Sequence, residues 1–282
     1  MGVLKKVLRS VAPHGIVTSY EKLRSRNAVE FAGTYASWSE AAARSEGYDA
    51  AHILEKVISA TREVLAGNAV FERDSILFRE ESPNYPLIAH LLAAAWGKRE
   101  LDVLDFGGAL GSVFFQNRRA LSRFDRIAWR IVEQPHFVAA GRELFKDHGS
   151  VFFYGSVEQA LAEGTPDVIL FSSVLQYLPD YEVLLKKIKA AGCPHVFMDR
   201  TLLFEDENTA HRFCVQHVSP EIYEASYPVQ IFPEKELTAI MAPEYGLADK
   251  FLSYPDVCVL KDPRAVCRYY GLIFESKGAR KA

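Results

Sequence analysis

The segment Val103-Leu-Asp105-Phe-Gly107-Gly108-Ala-Leu-Gly111-Ser112 joins an apolar run that ends in an acid to a glycine turn and then to a helix start. This arrangement lets a backbone approach a charged ligand with no side chain in the way. Gly107 and Gly108 are expected to take positive φ at little steric cost, and Gly111 to leave room for close strand–helix packing. A helix beginning near Gly111 or Ser112 aims its free N–H groups and positive dipole end at the same crevice. A second strand-like run, Ile127–Val132, ends in Glu133, 22 residues beyond Gly111. At a separation of about 20, a second-strand carboxylate meets ribose hydroxyls.

Two ligand classes use such a turn. A dinucleotide fingerprint, G-x-G-x-x-G, would fall on positions 106, 108 and 111, and Phe106 replaces its first glycine. Asp105 at the mouth would also repel a pyrophosphate. The spacing Asp105-x-Gly107-x-x-x-Gly111 resembles motif I of the class I S-adenosylmethionine-dependent methyltransferases, D/E-x-G-x-G-x-G, with Ala109 at the middle glycine and Gly108 beside it. The resemblance implies that Asp105, Gly107, Gly108 and Gly111 face the cofactor. Glu133 would hold its ribose, with Gln134 alongside.

The run Asp167–Asp180 resembles a second block of that family, S-x-V-L-x-H-x-x-D, and puts Ser172, Ser173, Gln176 and Tyr177 where cofactor and substrate would meet. The family's histidine falls on Tyr177 here. Gln176 cannot take a proton and is read as a hydrogen-bonding group for a ligand. Ser156 follows the third strand, where it either contacts adenine or caps the next helix. Asp199 ends the fifth strand beside Arg200 and is read equally as an acceptor of a substrate proton or as half of a salt bridge. His217 is the other candidate base, although a lone histidine there is more often a surface residue. His136 and His195 default to structure, and no spacing of His, Asp or Glu demands a metal.

Further blocks resemble a little-characterised methyltransferase family that accompanies bacterial surface-polysaccharide biosynthesis: Phe31–Ala41, Ser45–Asp49, Phe71–Phe78, Glu133–His136, Asp199–Thr201 and Ser219–Pro228. The family implies a small-molecule or glycan acceptor. It also implies a Rossmann-like α/β fold: a mostly parallel seven-stranded sheet, its last strand antiparallel. Tyr35, Trp38, Tyr223 and Tyr227 suit a sugar ring or ordinary packing equally. A cofactor-binding protein without transferase activity is the second reading, and an NAD-dependent oxidoreductase the third.

These residues need elements to position them. Residues 1–97 read as a mostly helical extension, with helices at 49–65 and 86–96. From residue 98 to 282 strands and helices alternate as in a doubly wound domain. Strands are expected at 101–106, 128–133, 150–154, 167–172, 195–199, 248–253 and 265–274. Residues 201–233 read as a polar, aromatic insertion near the substrate site.

The composition is that of a soluble globular protein, with net charge −3, which offers nothing to nucleic acid. Cys193, Cys214, Cys258 and Cys267 lack metal spacing and read as buried thiols of a reducing, cytoplasmic compartment. No apolar run approaches the ~18 residues of a membrane span, and no signal peptide is visible. Residues 1–26 carry six Lys or Arg against Glu21, opposite an apolar face of Val3, Leu4, Val7, Leu8 and Val11. This basic amphipathic segment is read as docked on the main domain or, alternatively, as lying through residues 1–12 on the inner face of an anionic membrane.

Overall fold

A computed structural model describes residues 29–45, 50–218, 225–261 and 264–278. The amphipathic segment at the N-terminus and Tyr223 lie outside the described residues. Strand β1 (Val29–Tyr35) comes first, then helices α1 (Trp38–Ala43) and α2 (Ala50–Leu65). A hairpin of β2 (Phe71–Arg73) and β3 (Ile76–Phe78) and helix α3 (Tyr85–Ala94) follow. The alternating part comprises β4 (Glu100–Phe106), α4 (Ser112–Leu121), β5 (Arg126–Val132), α5 (Pro135–Leu144), β6 (Val151–Tyr154), α6 (Val157–Leu161) and β7 (Val168–Ser172). It continues through α7 (Tyr181–Ala190) and β8 (His195–Phe204). Strands β9 (Arg212–Val218) and β10 (Ala225–Ile231), helix α8 (Glu234–Met241) and the long pair β11 (Tyr245–Lys261) and β12 (Arg264–Ser276) complete the order.

Seven strands form one sheet in the order β11-β12-β8-β7-β4-β5-β6. From β8 to β6 all neighbours are parallel, whereas β12 runs antiparallel to both β8 and β11. This is the Rossmann-like, doubly wound sheet with an antiparallel last strand that the sequence implies. All five residues of β7 are buried, as befits a central parallel strand covered on both faces. On one face pack Ile53, Val57, Leu87, Leu91, Phe114 and Phe115, brought by α2, α3 and α4. On the other pack Leu185, Ile188, Leu237 and Met241 from α7 and α8.

The chain enters the sheet at β4, winds outward to β6, then returns to β7 on the other side of β4. In such sheets the crevice opens at the carboxyl ends of the strands where the winding reverses. That is the point between β4 and β7.

One expectation is corrected: the fifth strand of the alternating part does not end at Asp199, because Thr201–Phe204 continues β8, and within residues 201–233 β9 and β10 pair antiparallel. Strand β1 pairs with the far edge of β9, making a separate sheet of order β1-β9-β10. The described part of residues 1–97 holds the two expected helices, as α2 and α3, together with α1, and it also supplies β1 and the β2–β3 hairpin. A register shift between Ala32 and Tyr35 breaks the period-2 pattern in β1, and its partner lies far along the chain. The small sheet joins the large one through Phe204 N–H to Phe232 O (3.0 Å) and Phe232 N–H to Leu202 O (3.1 Å). Gln230 Nε2 donates to Leu175 O at 3.3 Å, in the turn after β7. No helix among the described residues is long and apolar enough to cross a membrane.

Helix α5 lies close on β6 because Gly141 has no side chain: a Cβ there would stand 2.4 Å from the Phe153 ring. Gly141→Ala is expected to lower stability by about 1–3 kcal/mol through overpacking, despite a helix-propensity gain of up to about 1 kcal/mol. Urea denaturation measures this, and a stabilised variant would refute the close contact.

Candidate functional site

The turn after β4 is built from left-handed backbone, but not at all the positions expected. Gly107 (φ +70), Ala109 (φ +49) and Gly111 (φ +94) have positive φ, whereas Gly108 does not. What Gly108 supplies is space: a Cβ there would lie 2.5 Å from Asp105 Oδ2. At Gly107 a Cβ would come within 2.6 Å of Val174 Cγ2, closing the gap between the turn and the segment after β7. Gly111 would meet Phe115 only at 3.5 Å, so it is needed for its backbone conformation rather than for room.

Ala109 is held in this disfavoured conformation by an N–H bond to Glu133 Oε1 at 3.2 Å. Gln134 N–H donates to Glu133 Oε2 at 2.8 Å, and Gly107 N–H to Val132 O at 2.9 Å. The acid at the end of β5 is thereby tied to the turn after β4, as their sequence separation suggests. Burial raises the Glu133 pKa, with the two backbone bonds opposing.

Asp105 is fully buried. Trp129 Nε1 donates to its Oδ2 at 2.9 Å, while Oδ1 has no partner. Its pKa is pushed up to about 7, chiefly by burial; the Trp129 bond and the Arg200 charge oppose this, and the Glu133 and Asp199 carboxylates add to it.

Across the crevice, the end of β7 and the middle of β8 share a polar network around Asp199, which is 2 % exposed. Its Oδ2 accepts from Ser172 Oγ (3.0 Å) and Asn84 Nδ2 (3.2 Å), and its Oδ1 from Ser253 Oγ (2.7 Å). Arg200 Nε donates to Ser172 Oγ at 3.0 Å and lies 3.7 Å from Asp199 Oδ2. Gln176 is buried in the 3₁₀ turn Leu175–Tyr177, its Nε2 3.4 Å from Ser173 Oγ and 3.3 Å from Arg200 O. Its Oε1 has no partner, leaving a second buried acceptor beside Asp105 Oδ1.

Among the described residues, five non-glycines have positive φ: Asp74, Ser75, Ala109, Ser173 and Arg200. Ala109 and Ser173 follow the ends of β4 and β7, Arg200 lies within β8 beside Asp199, and the other two form the tip of the β2–β3 hairpin. That hairpin reaches the same place, because Glu72 accepts from Ser112 Oγ at the start of α4. Strain of this kind persists where surrounding structure fixes it, and it gathers at functional sites.

The structure thus brings Asp105, Gly107, Gly108, Gly111, Glu133, Ser172, Ser173, Gln176 and Asp199 to one end of the sheet. Ser156 lies near the same end after β6, but its Oγ accepts from Gln159 N–H at 3.2 Å as a helix cap. The Gln134 side chain is exposed at the rim. His217 stands apart: it is exposed on β9, and strand alternation points it away from Gln216, whose Oε1 receives Tyr177 Oη–H at 2.9 Å. The sequence does not single out Asn84, Ser253, Glu72 or Arg73. Phe71–Phe78 stands in the sequence as one block of the family resemblance, with the pair Asp74-Ser75 as its turn, but the place that this hairpin reaches is invisible without the fold.

No family model and no curated protein matches the chain. Several solved structures share its backbone path at low identity. The mitomycin 7-O-methyltransferase MmcR is 16% identical with TM-score 0.39, over 67% of this chain and 53% of that one, so this chain spans about half of MmcR. The [4+2]-cyclase SpnF is 10% identical with TM-score 0.47, over 80% and 94% of the two chains. The magnesium protoporphyrin IX methyltransferase ChlM from Synechocystis PCC 6803, with bound SAH, is 12% identical with TM-score 0.41, over 68% and 80%.

The Asp105 carboxyl supplies a signed pH test. Its pKa rises from 3.8 to about 7 on folding, so the folded protein holds a proton there that the unfolded chain has lost. The stability this contributes is complete below pH about 4 and disappears as pH rises through about 7. Asp105→Asn, uncharged at every pH, is expected to gain stability relative to wild type between pH 5 and pH 8 in urea denaturation. A wild type that gains on the variant over that interval would contradict the assignment.

Proposed function

We propose that the crevice binds S-adenosylmethionine and that the protein methylates a hydroxyl of a small polar acceptor, such as a sugar of polysaccharide biosynthesis. The observation that carries this reading is the tie between Glu133 and Ala109, which sets a carboxylate against a side-chain-free turn at the winding reversal of the sheet. The residues fit the cofactor. Gly107 and Gly108 let the turn pack against Val174 and Asp105, which stand 2.6 Å and 2.5 Å from where a Cβ would be, and Asp105 Oδ1 and Gln176 Oε1 are buried acceptors without partners. In this reading Glu133 holds the ribose hydroxyls, Asp105 and the turn face the positively charged methionine end, and Ser172, Ser173 and Gln176 border the transferable group. Ser156 keeps its capping role, with Gln134 at the rim.

S-adenosylmethionine supplies an electrophilic methyl group, and the chain's contribution is alignment and exclusion of water. Asp199 already accepts three hydrogen bonds, which makes it a positioning residue for Ser172 and Arg200 more than a proton acceptor. His217, on the outer face of the small sheet, has no part in this scheme. The engaged state of Asp199 and Tyr177 favours one second reading, a cofactor-binding protein without transferase activity. It predicts S-adenosylhomocysteine binding with no turnover on nucleotide sugars or lipid-linked glycans.

Calorimetry with S-adenosylhomocysteine tests the first step. Wild type is expected to bind, and Glu133→Gln to raise Kd about 10- to 100-fold, the effect of weakening charge-assisted hydrogen bonds by about 1.5–3 kcal/mol. No heat with wild type would remove the cofactor reading; an unchanged Kd in the variant would remove the role of Glu133.

A further inference from the structure

Asp105, Glu133, Asp199 and Glu72 bring four carboxyl groups to this end of the sheet, and their hydrogen-bond partners differ. Asp199 accepts from Ser172, Asn84 and Ser253, and Arg200 Nε lies 3.7 Å from its Oδ2. Glu133 accepts from the N–H groups of Ala109 and Gln134, one at each oxygen. Glu72 accepts from Ser112 Oγ at one oxygen and from Ser75 N–H, at 3.1 Å, at the other. Asp105 is the most deeply buried of the four and has the fewest partners. Its Oδ2 has one neutral donor, Trp129 Nε1, and its Oδ1 has none; among the described residues no cation is paired with it.

The surroundings of this carboxyl are mostly apolar. In the sheet Asp105 stands between Ile131 of β5 and Leu170 of β7. The Trp129 ring is itself fully buried, 5.7 Å from that of Phe114 on α4. The glycine turn packs directly on the acid, since a Cβ on Gly108 would stand 2.5 Å from Oδ2. Strand β7 and the turn from 107 to 111 bring no titratable group, and α4 carries its arginines, Arg118 and Arg119, in its last turn. The charges that act on Asp105 are Arg200, which favours its ionised form, and Glu133 and Asp199, which oppose it.

A carboxyl group deprived of water, of donors and of a counter-ion keeps its proton. That proton belongs on Oδ1, because Oδ2 receives the Trp129 N–H. A positive charge arriving at the turn reverses the balance. In the proposed function, on which this inference rests, the sulfonium and ammonium of S-adenosylmethionine lie against the turn that packs on Asp105. In a space of low effective dielectric such charges act over several ångströms without direct contact, and they favour the ionised acid. A buried acid can in this way face a cation without being an unpaired buried charge before the cation arrives.

We infer that Asp105 holds a proton in the free protein and gives it up when the cationic methionine end of S-adenosylmethionine enters, so that cofactor binding is a proton exchange. The O–H bond of the acid breaks, its electron pair stays on Asp105, and the proton leaves to solvent. The free protein must then lose a proton to bind, so affinity falls as pH falls below about 7, the value to which burial raises this carboxyl. The apparent Kd of wild type for S-adenosylmethionine is expected to rise about 5- to 10-fold from pH 7.5 to pH 6. Calorimetry at pH 6, in two buffers of different ionisation enthalpy, is expected to show close to one proton released per ligand bound. In Asp105→Asn the release is expected to vanish and Kd to change less than about 2-fold over the same interval. Glu133→Gln binds more weakly but keeps the pH dependence. 5′-Methylthioadenosine, which has neither the sulfonium nor the amino acid, is expected to bind wild type with no proton released. Infrared difference spectra need no variant: the carbonyl band of a protonated carboxyl is expected to disappear as S-adenosylmethionine is added to wild type at pH 6.

Binding to wild type at pH 6 with no proton released, or with the Kd found at pH 7.5, would overturn the inference. So would a release that survives in Asp105→Asn or that 5′-methylthioadenosine also causes, because the proton would then come from another group. Failure of wild type to bind S-adenosylmethionine at pH 7.5 is seen before any comparison of pH; it removes the proposed function, and this inference with it.

Discussion

The buried carboxylate of Asp199 is where the parts of this molecule meet. Its oxygens accept from Ser172 at the end of β7, Ser253 on β11 and Asn84 ahead of α3. Arg200 closes the circle through Ser172. A charge with so little access to water is tolerated only when its lone pairs are filled and a cation is near. That requirement fixes the position of three chain segments distant in sequence. It sets the end of β7 relative to β8, draws the long antiparallel hairpin against them, and holds the segment leading into α3 over the crevice.

On the other side of β4 the organising group is Glu133. It turns an unfavourable conformation at Ala109 into a stable one by accepting its N–H, and the close packing of Gly107 on Val174 and of Gly108 on Asp105 accompanies that turn. Between these two acids sits Asp105, whose carboxyl is deprived of water and of all but one hydrogen bond. In a space of low effective dielectric such charges act on one another over several ångströms. This is why Asp105 responds to Arg200, Glu133 and Asp199 together.

Backbone strain marks the same region. The non-glycine residues in left-handed conformation fall just after β4 and β7, within β8 at Arg200, and at the hairpin tip, whereas the described helices and outer strands have none. Each such residue costs on the order of 1–3 kcal/mol, offset by the packing of the two hydrophobic layers that flank the sheet. The small β1-β9-β10 sheet stabilises the arrangement further by hydrogen bonding to β8 and to the turn after β7.

Much of this was legible in the amino-acid order alone. Apolar runs ending in Asp105, Glu133 and Ser172, each followed by a turn and an amphipathic stretch, specify parallel strands whose carboxyl ends carry polar groups. The reason is local: a strand buried on both faces must be continuously apolar, and a turn toward a ligand must lack side chains. Helix caps such as Ser156 follow from the same short-range chemistry.

What the order of residues could not determine is which distant segments complete the site. β1 pairs with β9 across most of the chain, Asn84 reaches Asp199, and the Phe71–Phe78 hairpin delivers Glu72 to Ser112. Such pairings depend on long-range register and on the filling of buried hydrogen-bond donors and acceptors, neither of which leaves a periodic trace. His217 shows the converse: a residue type suited to catalysis that strand alternation turns outward once its neighbour Gln216 is committed to Tyr177. Sequence alone determined the turn, the strands and the acids at their ends. Tertiary structure decided which charges face one another, because only packing brings remote side chains into a space that excludes water.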